Sequence, residues 1–231
     1  MRGILSNRVG RGAGISIICV YNNLEKLDRY LIPSLEKQTA AFELLAIDNT
    51  AGKHMSAPAI LNQTAKKATY EYLMFVHQDV SLCSKTWLAD AQRDMRFLPR
   101  LGAAGVAGRN VIGLFAAVRH GIPPKKINRK RFFCPIRVQT IDGCLMIIPK
   151  KIFKAVLFDE KVIKGWYLYS VNFCLDLLRL GYRSYVLPRR IYHESTGPKD
   201  RSRWHPTMQE IIEKHCDHVR KIYTTLGIWE T

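Results

Sequence analysis

The chain has 231 residues, 36 Lys or Arg against 19 Asp or Glu, and a formal net charge of +17. That length fits one domain with at most an appendage, and a cationic excess of this size favours an anionic partner: nucleic acid, an acidic membrane surface or phosphorylated substrates. No apolar run approaches the roughly 18 residues that span a bilayer, and the six scattered cysteines form no CxxC pair, which argues against a zinc framework. The basic start, MRGILSNRVGRGAG, lacks the apolar centre of a secretory signal, so the expectation is a cytoplasmic protein.

In chain order, ISIICV at 15–20 is a continuous β-branched run, the pattern of a strand buried on both faces. Leu24, Leu27, Leu31 and Leu35 then recur at helical spacing, with Pro33 breaking or kinking that helix. FELLAI at 42–47 predicts a second strand, 56–70 a second helix, and YLMFV at 72–76 a third strand. This β-α-β-α-β order predicts a parallel sheet with helices on its faces. Ligands of such sheets bind beyond the carboxyl ends of the strands. Here those ends are Tyr21-Asn22-Asn23, Asp48-Asn49-Thr50 and His77-Gln78-Asp79, all polar and all on one edge. Two readings of His77-Gln78-Asp79 stand at this point: a solvated loop, or a site for a metal and a phosphate.

Downstream, 85–97 predicts a helix capped near Ser84, and 103–121 is Gly- and Ala-rich without a clear period. PPKKINRKRFF at 123–133 holds five Lys or Arg before two Phe. It reads as a solvated loop or as a peripheral contact with lipid phosphate or another polyanion. RVQTIDGCLMII at 137–148 predicts one strand interrupted at Asp142-Gly143, where glycine permits close approach of a ligand or marks a bulge. A short helix follows at 151–156, a longer one at 166–180 closed by Gly181, a strand at 182–187, and a final helix at 206–222.

The ordered motifs ISIICVYNN, SLEKQT, LLAIDNT, MFVHQDVSL, TIDGCLMIIPKKIF, FDE, LGYRSYVLP and IYHESTG resemble a family 2 glycosyltransferase of the GT-A fold. The resemblance implies a single α/β domain at 15–197, with a mixed, mainly parallel, Rossmann-like sheet flanked by helices. A basic segment at 1–14 precedes it, and a polar segment and helix at 198–231 follow. It implies a metal-dependent, inverting transfer of a sugar from a nucleotide-diphospho donor, UDP-linked first among candidates, to a glycan or lipid-linked acceptor of anionic character, as in polysaccharide biosynthesis. Val20, Tyr21, Asn22, Asp48, Asp142, Gly143 and Trp166 would bind the nucleotide sugar. Asp79, His77 and His193 would hold Mn2+ or Mg2+, because His77-Gln78-Asp79 falls where the family has its DxD.

The pattern departs from the family in one place. An inverting transfer needs a general base, and the family carries an acid in the register occupied here by Tyr169-Ser170-Val171-Asn172. Asp159, Glu160 and Glu194 are the candidate substitutes. A catalytically silent GT-A domain that binds nucleotide or saccharide is the alternative. Nucleic-acid binding rests on charge alone, with no recognised motif, and ranks last.

Overall fold

The structure, a computed structural model, describes residues 6–7, 14–127, 131–195 and 200–231. Most of the basic segment 1–14, part of the basic run at 128–130, and 196–199 lie outside the described residues. The central sheet has eight strands in the order Ser6–Asn7, Phe42–Asp48, Ile15–Tyr21, Tyr72–Val76, Leu145–Pro149, Leu101–Gly105, Arg183–Val186 and Ile136–Val138. Phe42–Asp48, Ile15–Tyr21 and Tyr72–Val76 pair in parallel, as their apolar runs predict. Leu145–Pro149 runs antiparallel between Tyr72–Val76 and Leu101–Gly105, and Arg183–Val186 is again parallel to Leu101–Gly105. The two edge strands, Ser6–Asn7 and Ile136–Val138, are antiparallel to their neighbours, so the sheet is mixed, with five of its eight strands running in one direction.

Period-two alternation divides the core between the two faces of this sheet. Ile15, Ile17, Cys19, Met74 and Val76 pack with Leu27, Leu31, Leu35 and Trp87 on one face. Ile18, Leu73 and Phe75 pack on the other with Leu61, Phe158 and Phe173. Phe75 is 1% exposed and meets Phe158 edge-on at a centroid distance of 4.9 Å. Truncating such a ring to alanine costs about 3–5 kcal/mol. The buried cysteines Cys19, Cys144 and Cys174 sit in this core as small apolar residues, while Cys83, Cys134 and Cys216 are exposed.

Several elements differ from the sequence expectation. The 24–36 helix contains a π turn at Leu27–Leu31, just before Pro33, which lacks the N–H that a regular turn requires. The single strand expected over 137–148 is three pieces: Ile136–Val138, Thr140–Ile141 and Leu145–Pro149. Thr140–Ile141 leaves the central sheet and pairs with Ala107–Asn110, which continues into Gly113–Ala116. The Gly- and Ala-rich stretch is thus strand. Gly105 and Gly108 are required there, since an added Cβ would lie 2.2 Å from the Ile141 side chain and 2.5 Å from the Thr140 carbonyl oxygen, respectively. The final helix stops at His215, and a hairpin of Lys221–Thr224 and Gly227–Glu230 replaces its expected continuation. Gly181 does close the Tyr169–Arg179 helix, at φ 80, with its N–H on the Leu178 carbonyl and that of Tyr182 on Leu177.

A second sheet of four short strands carries the site. Its order is Lys125–Lys126, Val118–His120, Ile191–His193 and Val80–Leu82. His193 lies in register with Val80 on one side and His120 on the other. No helix among the described residues is long and apolar enough to cross a membrane.

Candidate active site

The polar ends of Ile15–Tyr21 and Tyr72–Val76 open onto a cleft of about 1060 Å³. Val20, Tyr21, Asn22, His77, Gln78 and Asp79 line it from these strand ends. Asp142, Gly143, Trp166 and His193 also reach it, so the structure brings together most of the residues singled out in the sequence.

At its centre His77, Asp79 and His193 place one ligand-capable atom each within 4.8 Å of one another. His193 Nε2 lies 3.3 Å from Asp79 Oδ1 and 3.4 Å from His77 Nδ1. The pairing of Ile191–His193 with Val80–Leu82 enforces this convergence, and the Glu194 N–H donates to the Asp79 carbonyl at 3.1 Å. Burial would raise the Asp79 carboxyl, but the hydrogen bond and charge of His193, then the charge of His77, outweigh it and hold it at about 2. His77 opens onto the cleft yet is ringed by protein. That desolvation, then the charge of His193, holds its imidazole below the usual range despite Asp79 and Asp142.

An ionised carboxylate and a neutral imidazole are the protonation states a metal ion requires. One oxygen and two nitrogen donors suit Mn2+ better than Mg2+, which takes oxygen almost exclusively. The residues present therefore fit a divalent transition metal.

Gln78, the middle residue of the motif, does other work. Its Oε1 accepts from the N–H groups of Asn22 and Asn23 at 3.0 and 2.9 Å, and its Nε2 donates to Asn22 Oδ1 at 2.7 Å. It ties the loop after the first core strand to the loop that carries Asp79. The adjacent Asp48 is exposed and is not part of the cleft wall; its carboxylate accepts from the Thr50 N–H and hydroxyl at 2.8 and 2.7 Å. Those two bonds hold it below the usual carboxylate range. Its neighbour Asn49 does line the cleft, braced by two bonds to the His54 backbone.

Asp159, Glu160 and Glu194 do not converge on the cleft. Asp159 accepts from Lys214 Nζ at 2.9 Å and from the N–H groups of Lys161 and Val162. Glu160 accepts from Asn62 Nδ2 at 2.9 Å. Glu194 follows His193 in the chain, but its carboxylate is ion-paired to Lys26 and accepts from Tyr30. In the Tyr169-Ser170-Val171-Asn172 register the first three residues line the cleft. Asn172 points the other way, fully buried, and its Oδ1 faces His215 Nε2 at 3.0 Å.

Besides Asp79 the cleft wall carries two acids, Asp142, which is half-buried, and Asp200, which is exposed. Burial would raise the Asp142 carboxyl, but the Cys144 N–H at 2.9 Å, then the Thr225 hydroxyl at 2.7 Å, outweigh it and keep it below the usual range. Gly143 beside it is packed under Tyr169, whose hydroxyl donates to the Gly143 carbonyl at 2.9 Å.

Sequence reasoning missed the wall supplied by Thr224, Thr225 and Leu226 at the tip of the C-terminal hairpin. That hairpin is fastened by Gln139, which donates to the Lys221 carbonyl at 2.9 Å and accepts from the Tyr223 N–H at 2.7 Å. The signal was there: KIYT and GIWE are short β-branched and aromatic runs around a turn. His120 and Arg203 were missed as well; both line the cleft, but neither lies in a recognisable motif.

Comparison with solved structures identifies the fold. The mannosyltransferase PcManGT from Pyrobaculum calidifontis, in complex with GDP-Man and Mn2+, superposes with a TM-score of 0.63 at 14% identity. The match covers 94% of this chain and 68% of that one. GalNAc-T7 with UDP, GalNAc and Mn2+ gives 0.58 at 13% identity, over 87% of this chain and 48% of that one. S. aureus TarS 1-349 in complex with UDP-GlcNAc gives 0.59 at 16% identity, over 87% and 66%. The chain thus spans between about half and two thirds of the length of these structures. Among curated proteins, "ATP synthase subunits region ORF 6" of Fuscovulum blasticum is 24% identical over 214 residues, 87% of this chain and 82% of that protein. No family model matches.

Proposed function

We propose that this chain, which has the GT-A fold, is a divalent-metal-dependent glycosyltransferase that takes a sugar from a nucleotide-diphospho donor. The observation that carries this reading is the convergence of His77, Asp79 and His193 beside the Tyr21–Asn22 loop, at the carboxyl edge of the parallel strands. The structural relatives named above include proteins captured with GDP-Man, UDP or UDP-GlcNAc, two of them with Mn2+. A metal bound here would neutralise the charge that grows on a departing diphosphate.

The chain's own groups have separable tasks in this reading. Tyr21 and Asn22 form the nucleotide side of the cleft, and Gln78 holds that loop in place. Asp48 anchors the outer strand end beside Tyr21, with which it is in register. Gly143, lacking a side chain, lets Tyr169 and Ser170 close on the cleft wall, since a Cβ there would lie 3.2 Å from the Tyr169 hydroxyl and 3.4 Å from Ser170 Oγ. An inverting transfer requires a general base to take the acceptor proton. Of the cleft-wall acids other than Asp79, Asp200 is exposed and accepts from the Ser202 N–H and hydroxyl, whereas Asp142 is half-buried, held ionised by Cys144 and Thr225, and is the candidate base. Asp159, Glu160 and Glu194 are each engaged elsewhere, so a role in that step would require their ion pairs or hydrogen bonds to open. The acceptor is a hydroxyl of a glycan or a lipid-linked saccharide, and the cationic surface favours one that carries negative charge.

Thermal denaturation with UDP or GDP tests the reading. A ligand present at 100 times its Kd stabilises the native state by about 2.7 kcal/mol, and the shift should require Mn2+. Asp79→Ala should abolish the metal-dependent part, read as the shift from that variant's own unliganded midpoint. No shift with either nucleotide, with or without Mn2+, refutes it. The absence of an acid in the Tyr169–Asn172 register supports a second reading, a nucleotide-binding domain without turnover. Metal-dependent donor hydrolysis or transfer would exclude that.

A further inference from the structure

From residue 95 to residue 141 the chain carries ten Lys or Arg and no Asp or Glu. Residues 111–133 also hold five of the twelve large apolar side chains that are exposed among the described residues. Phe133 is 87% exposed and Ile112 is 76% exposed. Single exposed apolar residues need no explanation. Val111, Ile112 and Phe133 share a neighbourhood, and Ile122 lies on the next turn of the same cleft rim. The ring of Phe132 meets Phe115 edge-on at 6.1 Å, which brings the 131–133 segment against the strand that rises from the Val111-Ile112 turn. Asn110 Nδ2 donates to the Arg137 carbonyl at 2.8 Å. Lys125 and Lys126 pair with His120 and Arg119, just beyond Ile122.

The same segments form one rim of the cleft, because Leu114, Val118, His120 and Ile127 line it from the inside. A phosphate backbone would call for cations and stacking rings. It gives no use to bare aliphatic tips such as Val111, Ile112 and Ile122. Aliphatic tips flanked by Lys and Arg match hydrocarbon beneath a layer of phosphate.

We propose that this surface docks on a bilayer containing anionic phospholipid. Val111, Ile112, Ile122 and Phe133 enter the acyl boundary, and Lys125, Lys126 and Arg131 contact lipid phosphates. The docking stands on these observations alone. Its consequence for catalysis rests on the proposed transferase reading: the cleft mouth then faces the membrane, and the acceptor hydroxyl belongs to a lipid-borne molecule in that bilayer.

Vesicle sedimentation of the full chain tests this, comparing phosphatidylcholine alone with phosphatidylcholine containing phosphatidylglycerol. Binding is expected to the anionic vesicles and to weaken with salt. Removing two surface cations in Lys125→Ala/Lys126→Ala should weaken it about 30-fold. Ile112→Ser/Phe133→Ser should weaken it about tenfold or more, with the melting temperature and the UDP-dependent shift unchanged. The nucleotide shift makes failure of the docking distinguishable from failure of the active-site reading. No binding to anionic vesicles at low salt overturns the proposal. So does equal binding by Ile112→Ser/Phe133→Ser, which would mean adsorption by charge alone. Tighter binding of a duplex oligonucleotide than of vesicles, lost with the lysines but not with Phe133, would assign the surface to nucleic acid instead.

Discussion

Lys214 is the cation that holds two acids behind the cleft, and Lys214→Met removes it with little change in length. Its Nζ lies 2.9 Å from Asp159, 2.7 Å from Asp176 and 3.3 Å from Asn172 Oδ1. The side chains of Lys214, Asp159 and Asp176 are 25%, 21% and 19% exposed, between a solvated pair and a buried one. Breaking a buried pair costs about 3–5 kcal/mol, and an exposed pair is worth less than about 1, so this geometry predicts a loss of about 2–3 kcal/mol. For a chain of this size that is about 4–12 °C in melting temperature. The pH dependence identifies the cause. Burial, opposed by Lys214, already raises the Asp176 carboxyl above its usual value, and loss of the cation raises it further. An acid whose folded pKa exceeds its unfolded one destabilises at high pH, and the cost is relieved as pH falls through the folded pKa. The difference between wild type and variant should therefore shrink on acidification, and Lys214→Met/Asp176→Asn should recover much of it at neutral pH. Urea denaturation at several pH values measures this. An unchanged midpoint at neutral pH, or a difference that grows in acid, would refute the argument. The network matters to the cleft because Asn172 and Asp176 lie on the helix whose first turn supplies Tyr169, Ser170 and Val171 to its wall.

Three further outcomes follow from the same geometry. Gln78→Ala removes three hydrogen bonds between the two cleft loops; at about 0.5–1 kcal/mol each for partly solvated bonds, nucleotide affinity measured by calorimetry should fall about tenfold or more while Mn2+ binding persists. His215 is fully buried, and burial first, then the charges of Lys214, His218 and Arg179, outweigh Asp217 and push its imidazole down to about 4. A histidine depressed in the folded state stabilises above its unfolded pKa, so stability should fall by up to about 3 kcal/mol between about pH 6.5 and pH 4; a flat urea midpoint over that window would contradict it. Thr225→Val removes the hydroxyl on Asp142 and frees its carboxylate to titrate higher; the acid limb of the pH–rate profile for transfer should move upward, whereas a purely structural hairpin would leave that limb in place.

Much of the site was legible because it depends on strand ends. A β-branched run that stops at polar residues locates its own carboxyl end, and parallel pairing gathers those ends on one edge. Asp79 and Tyr21-Asn22 could be placed together on that ground alone. His193 could only be named by resemblance, since 114 positions separate it from Asp79 and their meeting depends on pairing between Ile191–His193 and Val80–Leu82. The candidate acids show the opposite limit. Sequence offers Asp159, Glu160 and Glu194 as substitute acids on equal terms and names Asp142 only as a nucleotide-sugar-binding residue. Partners decide among them: Lys214 engages Asp159, Asn62 engages Glu160, Lys26 engages Glu194, and Asp142 lies in the cleft wall.

The sequence by itself determined the alternating strands and helices, the polar edge and the concentration of positive charge, because period and burial preference are short-range properties of a few consecutive residues. Only the tertiary structure decided that Asn172 turns from the cleft, that the C-terminal hairpin closes one side of it, and that the cationic and aliphatic turns share its rim. Those facts depend on register between distant segments, which local sequence does not encode.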